Sequence, residues 1–313
     1  MENRARQTVT ILLATFNGAR HLGAQLASYT AQSHADWRLW VSDDGSTDET
    51  AAILRRFERG PGGSHEVRLI QGPGAGMAAN FLSLLQHPDL PDGPVALSDQ
   101  DDVWMPHRLA RGLDLIARSP GARPVLYAAN TIQTDADLRL RRMQNRAGFR
   151  PSFANALVQN IIAGNTIMLN AAAMCAIRAT MPPRPDVPFH DWWLYLLLTG
   201  IGGEIVFDET PCLYYRQHHA NLMGSHRGTR ASARRLRLIA NGTYGSWVRQ
   251  NAAALSRVTP HLTPDAADRL GEVLATSGQG GLPRFRSLRR AGVFRQGRPA
   301  PGILSLLSLI ARV

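Results

Sequence analysis

Ala96-Leu97-Ser98-Asp99-Gln100-Asp101-Asp102-Val103-Trp104-Met105-Pro106 is the stretch on which the reading of this chain turns. A short apolar run stops at Ser98, three carboxylates follow, and a Trp and a helix-starting Pro close the segment. So many anions in one turn repel one another unless protons or a cation offset the charge. Hard divalent ions take carboxylate oxygens and commonly share their remaining positions with substrate phosphates. The plain alternative is a solvated acidic turn, which is how a lone Asp-x-Asp would be read. What precedes it in the chain decides against that.

Val9–Ala14 reads as a buried strand, Thr15-Phe16-Asn17-Gly18 as a turn, and the next segment as a helix with Leu22, Leu26 and Tyr29 on one face. Trp37–Ser42 is a second strand, running into Asp43-Asp44-Gly45-Ser46-Thr47-Asp48-Glu49. Ser46 followed three residues later by Glu49 predicts a capping box and a helix over Thr47–Arg59. Val67–Ile70 is a third strand, followed by the Gly72–Gly76 turn and a helix burying Phe81, Leu84 and Leu85. Val95–Ser98 is the fourth strand, and Pro106 opens a helix with Leu109, Leu113 and Ile116 inward. This alternation predicts an α/β fold, a mostly parallel sheet with helices on both faces. Ligands bind such sheets beyond the carboxyl ends of the strands. Asp43/Asp44 and Asp99/Asp101/Asp102 each follow a strand directly, so two clusters remote in sequence are expected on one rim.

Further on, Gly164-Asn165-Thr166 precedes an Ala-rich helix that the Pro182–Pro188 stretch ends. Phe189-His190-Asp191-Trp192-Trp193-Leu194 then opens an apolar helix over Trp192–Leu198. Asp191 stands where an N-cap would, and Asp is a favoured cap. The functional alternative is a general base walled by Trp192 or Trp193. Glu204–Phe207 and Cys212–Arg216 read as short strands, the second leading into Gln217-His218-His219-Ala220-Asn221. Neighbouring histidines point in different directions, so at most one serves a given metal.

Charge divides the 313 residues unevenly: the net +11 sits almost wholly in residues 227–313, where fifteen Arg face only Asp265, Asp268 and Glu272. The expected organisation is therefore a catalytic domain over 1–226 and an Arg-rich, mainly helical region over 227–313. Arg230, Arg234, Arg235 and Arg237 interleave with Leu236, Leu238 and Ile239, and the mixture recurs around Phe285, Leu288, Val293 and Phe294. That pattern suits an interfacial segment on an anionic membrane, or equally helices packed on the main domain with solvated arginines. Ile303–Ile310 is too short to span a bilayer. Aromatic stacking platforms are not interleaved with the arginines, so nucleic acid is not the expected partner. Cys175 and Cys212 lack metal-ligand spacing and read as buried free thiols of a reducing compartment. The Val9–Ala14 run is too short for a signal-peptide core, so the expected place is the cytoplasm, or the inner face of the plasma membrane.

Thr10-Ile11-Leu12-Leu13-Ala14-Thr15-Phe16-Asn17-Gly18, Val41-Ser42-Asp43-Asp44-Gly45-Ser46-Thr47-Asp48 and Ser98-Asp99-Gln100-Asp101-Asp102-Val103-Trp104 together resemble inverting family 2 glycosyltransferases, which have the nucleotide-binding GT-A fold. The Asp-Gln-Asp-Asp form, with Gly164-Asn165-Thr166, His190-Asp191-Trp192 and Tyr215-Arg216-Gln217-His218-His219-Ala220-Asn221, is most similar to bacterial rhamnosyltransferase-type members. The resemblance covers roughly residues 8–225. It implies that Asp44 meets the donor's pyrimidine, with Ala14, Thr15 and Phe16 lining that pocket and Asp43 and Asn80 beside the donor. It implies Asp101 as ligand of an Mn²⁺ or Mg²⁺ ion on the donor diphosphate, and Asp99 on the metal and on the sugar or ribose side. His218 would help hold the diphosphate or the metal. Asp191 would be the base, with Trp104, Gly164, Asn165 and Trp192 toward the acceptor. The partners implied are a nucleoside-diphosphate sugar and a glycan or polyprenyl-linked acceptor.

One base without a second carboxylate nucleophile implies a single in-line displacement with inversion. The Gln-x-x-Arg-Trp motif and membrane spans of processive members are absent, which favours adding one sugar. A sugar-nucleotide pyrophosphorylase also seats nucleotides on a metal-bearing rim, but Thr15–Arg20 is a poor version of its basic Gly-rich loop. A non-catalytic anion or nucleic-acid binder acting through the Arg tail is the other alternative.

Overall fold

The computed structural model describes residues 7–139, 141–143, 148–217, 241–275 and 281–296. In chain order the first elements are β1 (Val9–Thr15), α1 (Ala19–Thr30), β2 (Trp37–Asp43), α2 (Thr50–Arg59), β3 (Val67–Gln71), α3 (Met77–Leu85) and β4 (Val95–Ser98). Then come β5 (Val103–Trp104), α4 (Arg108–Ile116), β6 (Val125–Thr134), β7 (Arg142–Met143), α5 (Phe153–Ala156), β8 (Met168–Leu169) and α6 (Ala171–Thr180). The remainder are α7 (His190–Gly200), β9 (Glu204–Arg216), α8 (Thr243–Ser256), α9 (Pro264–Leu274) and α10 (Gly281–Arg290).

The chain forms two compact units. The first gathers Met1–Ala147, Ile162–Ala179 and Gly203–Arg216, and the second Gly148–Ile161, Thr180–Gly202 and Gln217–Val313. This division differs from a single boundary at 226/227, because two internal segments group with the C-terminal chain. The reason lies in α7, where every residue from Trp192 to Leu198 is buried. A helix apolar all round needs cover on every side, and helices of its own unit give it.

The first unit is built on a nine-stranded sheet of order β3-β2-β1-β4-β8-β6-β9-β5, with β7 paired to β6. The long ladders, β1 with β2, β1 with β4, β2 with β3 and β6 with β9, are parallel. The antiparallel pairings are short. Every residue of β1 is buried, as expected of a strand covered on both faces. Ile11 and Leu13 join Leu22, Leu26 and Tyr29 of α1, Leu54 and Phe57 of α2, and Leu109 and Ile116 of α4 in one core. On the opposite face α3 packs against β1 and β2, burying Phe81, Leu84 and Leu85. Each fully buried aliphatic side chain contributes about 1.5–3 kcal/mol, so this sheet is a rigid base for whatever its rim carries.

Several local expectations shift. The helix expected from Thr47 begins at Thr50 and no capping box forms: the Ser46 hydroxyl donates to Asp43 Oδ1 at 2.5 Å instead. Glu204–Phe207 and Cys212–Arg216 are one strand, β9, with an irregularity opposite Ala129–Ile132 of β6. Cys212 is buried as expected, but Cys175 is exposed, on the outer side of α6. The basic helix expected over 230–239 and the apolar run 303–310 lie outside the described residues, as do His218 and His219. Among the described residues, no helix is long and apolar enough to cross a membrane.

In the second unit, Trp192 Nε1 donates to Ala156 O and Tyr244 Oη to Val158 O, both at 2.7 Å. Arg295 also donates to Val158 O, and its guanidinium lies 4.7 Å from the Tyr244 ring centroid.

Candidate active site

Strand register brings the acidic segments to one edge. Thr15 pairs with Asp43 across β1 and β2, and Leu13 with Ser98 across β1 and β4. The chain past Thr15, Asp43 and Ser98 therefore leaves the sheet at its carboxyl rim, where doubly wound sheets bind ligands.

The two Asp of the first cluster hold the rim's shape. Asp43 Oδ1 accepts from the Thr15 hydroxyl at 2.8 Å, and Oδ2 accepts from Ser46 N at 2.9 Å. Asp44 spans the Gly-rich turn, accepting from Gly74 N at 2.7 Å and Gly76 N at 2.8 Å. Gly76 has φ 89°, a conformation that glycine adopts without steric cost. Gly72 has no room for a side chain, since a Cβ there would lie 2.7 Å from Asp44 Oδ1 and 3.0 Å from Asn80 Oδ1. Asn80 is buried; its Nδ2 donates to Ser42 O at 3.0 Å, while Oδ1 has no partner among the described residues.

The loop after β1 is clamped from two sides. Asn17, at φ 47°, donates through its backbone to Ser46 Oγ and accepts from Thr47 N, each at 2.8 Å. Asp48 accepts from Ala19 N at 3.1 Å, capping α1. On the other side, Gln100 accepts from Phe16 N at 2.9 Å and donates to Phe16 O at 3.0 Å. The Phe16 ring is left 55% exposed.

Asp99, Asp101 and Asp102 offer oxygens that lie within 4.8 Å of one another. Asp102 is fully buried. It accepts from Asn165 Nδ2 at 2.6 Å and from Arg216 N at 3.2 Å. Burial, with Asp101 and Asp99 adding repulsion, pushes its carboxyl well above the usual range. Arg216 also donates from Nε to Asp101 O at 2.8 Å. Beneath the cluster lies a buried cation: Arg108 donates to Leu97 O at 2.8 Å and stacks 3.5 Å from the Trp104 ring centroid. Burial lowers the Arg108 pKa from its ordinary value. Hard oxygen donors in a tight cluster with mutual repulsion fit a divalent cation. Asp102 is buried whereas Asp99 and Asp101 are half-buried, so the latter two are the better placed ligands.

Trp104 is 2% exposed and packs edge-on to Tyr29 at 4.7 Å, so its ring is core rather than a wall open to an acceptor. Asn165 is likewise buried and turned to Asp102. In the second unit, Asp191 is half-buried in the first turn of α7. It is not the N-cap: Phe189 holds that position, and Asp191 Oδ1 accepts from Trp192 N at 2.7 Å. Burial lowers the neighbouring His190 pKa. Gln100, Arg108 and Arg216 also organise the rim, a role that residue type alone does not mark. Gln100 and Arg216 stand inside the quoted motifs, but the groups they hold are remote in the chain.

The chain belongs to glycosyltransferase family 2, whose model, "Glycosyl transferase family 2", matches residues 10–178. It is a glycosyltransferase, which separates it from the pyrophosphorylase and non-catalytic readings. It is 25% identical to the dTDP-rhamnosyl transferase RfbG of Shigella flexneri over 249 residues, covering 78% of this chain and 84% of the relative. The fold is similar to S. aureus TarS 1-349, with a TM-score of 0.54, 13% identity, and 91% of this chain and 90% of that one covered. It is also similar to mannosyltransferase PcManGT from Pyrobaculum calidifontis in complex with GDP-Man and Mn²⁺. There the TM-score is 0.50 at 17% identity, with 92% and 80% of the two chains covered.

Proposed function

We propose that this glycosyltransferase transfers one sugar, rhamnose, from a deoxythymidine-diphosphate donor to a glycan or polyprenyl-linked acceptor in cell-surface polysaccharide synthesis. The observation that carries the reading is the meeting of Asp43/Asp44 and Asp99/Asp101/Asp102 on one carboxyl rim. Similarity to a dTDP-rhamnosyl transferase over most of both chains supports the choice of donor.

The nucleoside lies against Ala14, Thr15 and the exposed Phe16, with Asp44 and the buried Asn80 Oδ1 available to its polar edge. Asp101 and Asp99 would hold Mn²⁺ or Mg²⁺, and His218 would be a further ligand. Such an ion supplies Lewis-acid stabilisation of the charge that develops on a leaving diphosphate. Asp191 takes the proton of the acceptor hydroxyl as its oxygen bonds the anomeric carbon, and Gly164 lies toward the acceptor. Trp192, 2% exposed and bonded to Ala156 O, is core and not an acceptor wall. The carbon–oxygen bond to the diphosphate breaks, its electron pair leaves with the nucleoside diphosphate, and configuration inverts.

In the second unit, Arg269 and Arg290 are paired with Asp265 and Glu272, whereas Arg286 and Arg289 are exposed. The exposed arginines suit attachment to an anionic membrane bearing the acceptor.

The test is turnover on a panel of dTDP-, UDP- and GDP-sugars with Mn²⁺ or Mg²⁺ and a polyprenyl-diphosphate sugar. Preferential consumption of dTDP-rhamnose is expected. Preference for another sugar nucleotide overturns the donor assignment.

A further inference from the structure

The geometry points to Gln100 as a positioning residue that fixes the span between the nucleoside side and the acidic side of the donor site. This deepens the function proposed above and rests on it. Gln100 stands between Asp99 and Asp101, yet its amide is turned away to the main chain of Phe16, 84 residues earlier. It accepts from Phe16 N at 2.9 Å and donates to Phe16 O at 3.0 Å. A primary amide donates and accepts at once; a carboxylate only accepts, and an aliphatic side chain does neither. The pair thus copies one rung of a sheet ladder where β1 has already ended at Thr15.

The rung matters because of what stands at its ends. On the Phe16 side are Thr15 and Phe16, which line the nucleoside pocket in the proposed function. On the Gln100 side are Asp99 and Asp101, toward the diphosphate. One donor molecule must engage both ends at once, and the second engagement is effectively intramolecular only if the span is correct. The rest of the loop is bound to the segment after β2, through Asn17, Ser46 and Thr47. Gln100 provides its side-chain tie to the acidic segment.

Gly18 gives an independent handle on the same contact. A Cβ on Gly18 would lie 2.3 Å from Gln100 Oε1 and 2.6 Å from its Cδ. Gly18 has φ −97° and ψ 2°, which alanine tolerates. The obstructing atoms are the end of a flexible side chain, so Gly18→Ala folds and displaces the amide instead of the backbone.

The experiment is calorimetric binding of three probes to the full chain: dTDP with Mn²⁺, thymidine alone, and Mn²⁺ alone. In Gln100→Leu, dTDP with Mn²⁺ is expected to bind about 10- to 100-fold more weakly, the loss of two hydrogen bonds. Thymidine and Mn²⁺ alone bind within about twofold of wild type, because neither spans the rung. Gly18→Ala reproduces this pattern, and the double variant is no weaker than Gln100→Leu, since both changes remove one interaction. Unchanged dTDP binding in both single variants overturns the inference. So does equal weakening of all three probes, which marks a collapse of the rim. If the wild type itself binds no nucleoside diphosphate, the donor site fails first and this inference falls with it.

Discussion

Asn165 donates a 2.6 Å hydrogen bond to Oδ2 of Asp102, joining the acidic turn to a residue 63 positions later. Both groups are buried, so the bond cannot be exchanged for water. Asn165→Ala leaves a buried carboxyl oxygen unpaired and is expected to cost about 1–3 kcal/mol. Asn165→Asp sets a second carboxyl against the first and costs more. Denaturant unfolding of the three proteins checks the order, which is wild type, then Ala, then Asp.

Asp191→Asn keeps an oxygen that can accept from Trp192 N, as Asp191 Oδ1 now does at 2.7 Å, but it cannot take a proton. Turnover is expected to fall on the order of 10²–10⁴-fold, with donor binding and melting temperature near wild type. A lowered melting temperature with normal turnover would identify Asp191 as a helix-terminal residue and nothing more.

Asp208 gives the first unit a pH signature. Burial raises its carboxyl, but Arg111, which donates to it at 2.5 and 2.9 Å, and Thr210 N outweigh that and hold it below its ordinary value. A group lowered in the folded state contributes stability above its unfolded value, about pH 4, and loses it as pH falls through the folded one. Asp208→Asn should therefore cost about 1.5–3 kcal/mol at neutral pH. The gap to wild type should close on acidification below about pH 4. Unfolding free energies from pH 7 to 2.5 test this, and a gap constant with pH would contradict it.

Removing the chain after residue 226 would strip α8, α9 and α10 from the unit that covers α7, so membrane attachment is better tested on the intact protein. The double change Arg286→Ala, Arg289→Ala removes two exposed charges. Sedimentation with anionic vesicles is expected to be salt-sensitive and to weaken about fivefold per arginine, the equivalent of about 1 kcal/mol each. Equal, negligible sedimentation with anionic and neutral vesicles would make these arginines solvated packing.

The parallel half of the sheet was legible because its signals are local. Strand-forming runs such as Trp37–Ser42 and Val95–Ser98 stop at polar residues, and the acids after them fall at the rim by construction. β5, β7 and β8 were not legible, since two-residue strands exist only through pairing with β9, β6 and β4. The failed capping box has a physical cause: Ser46 could cap a helix or serve Asp43, and the buried side of the turn took it. Asp191 matched a capping preference that Phe189 lacks, yet the helix begins two residues earlier than expected, at His190. Cys175 looked buried by composition, but the packed stripe of α6 is Ala173, Met174 and Ile177. At the site, residue types marked Asp99 and Asp101. The contacts that hold the acidic turn, Asn165 with Asp102, Arg216 with the Asp101 carbonyl and Gln100 with Phe16, run across 63 to 115 positions.

Metal-assisted transfer with inversion, as proposed for this rim, is tested most directly by incubating the protein with dTDP-rhamnose, Mn²⁺ and acceptor and reading released nucleotide and product anomeric configuration by NMR. One nucleoside diphosphate released per glycoside formed, a configuration opposite to the donor's, and loss of both products in Asp101→Ala or excess chelator are expected. Retained configuration, or undiminished transfer by Asp101→Ala, would contradict it.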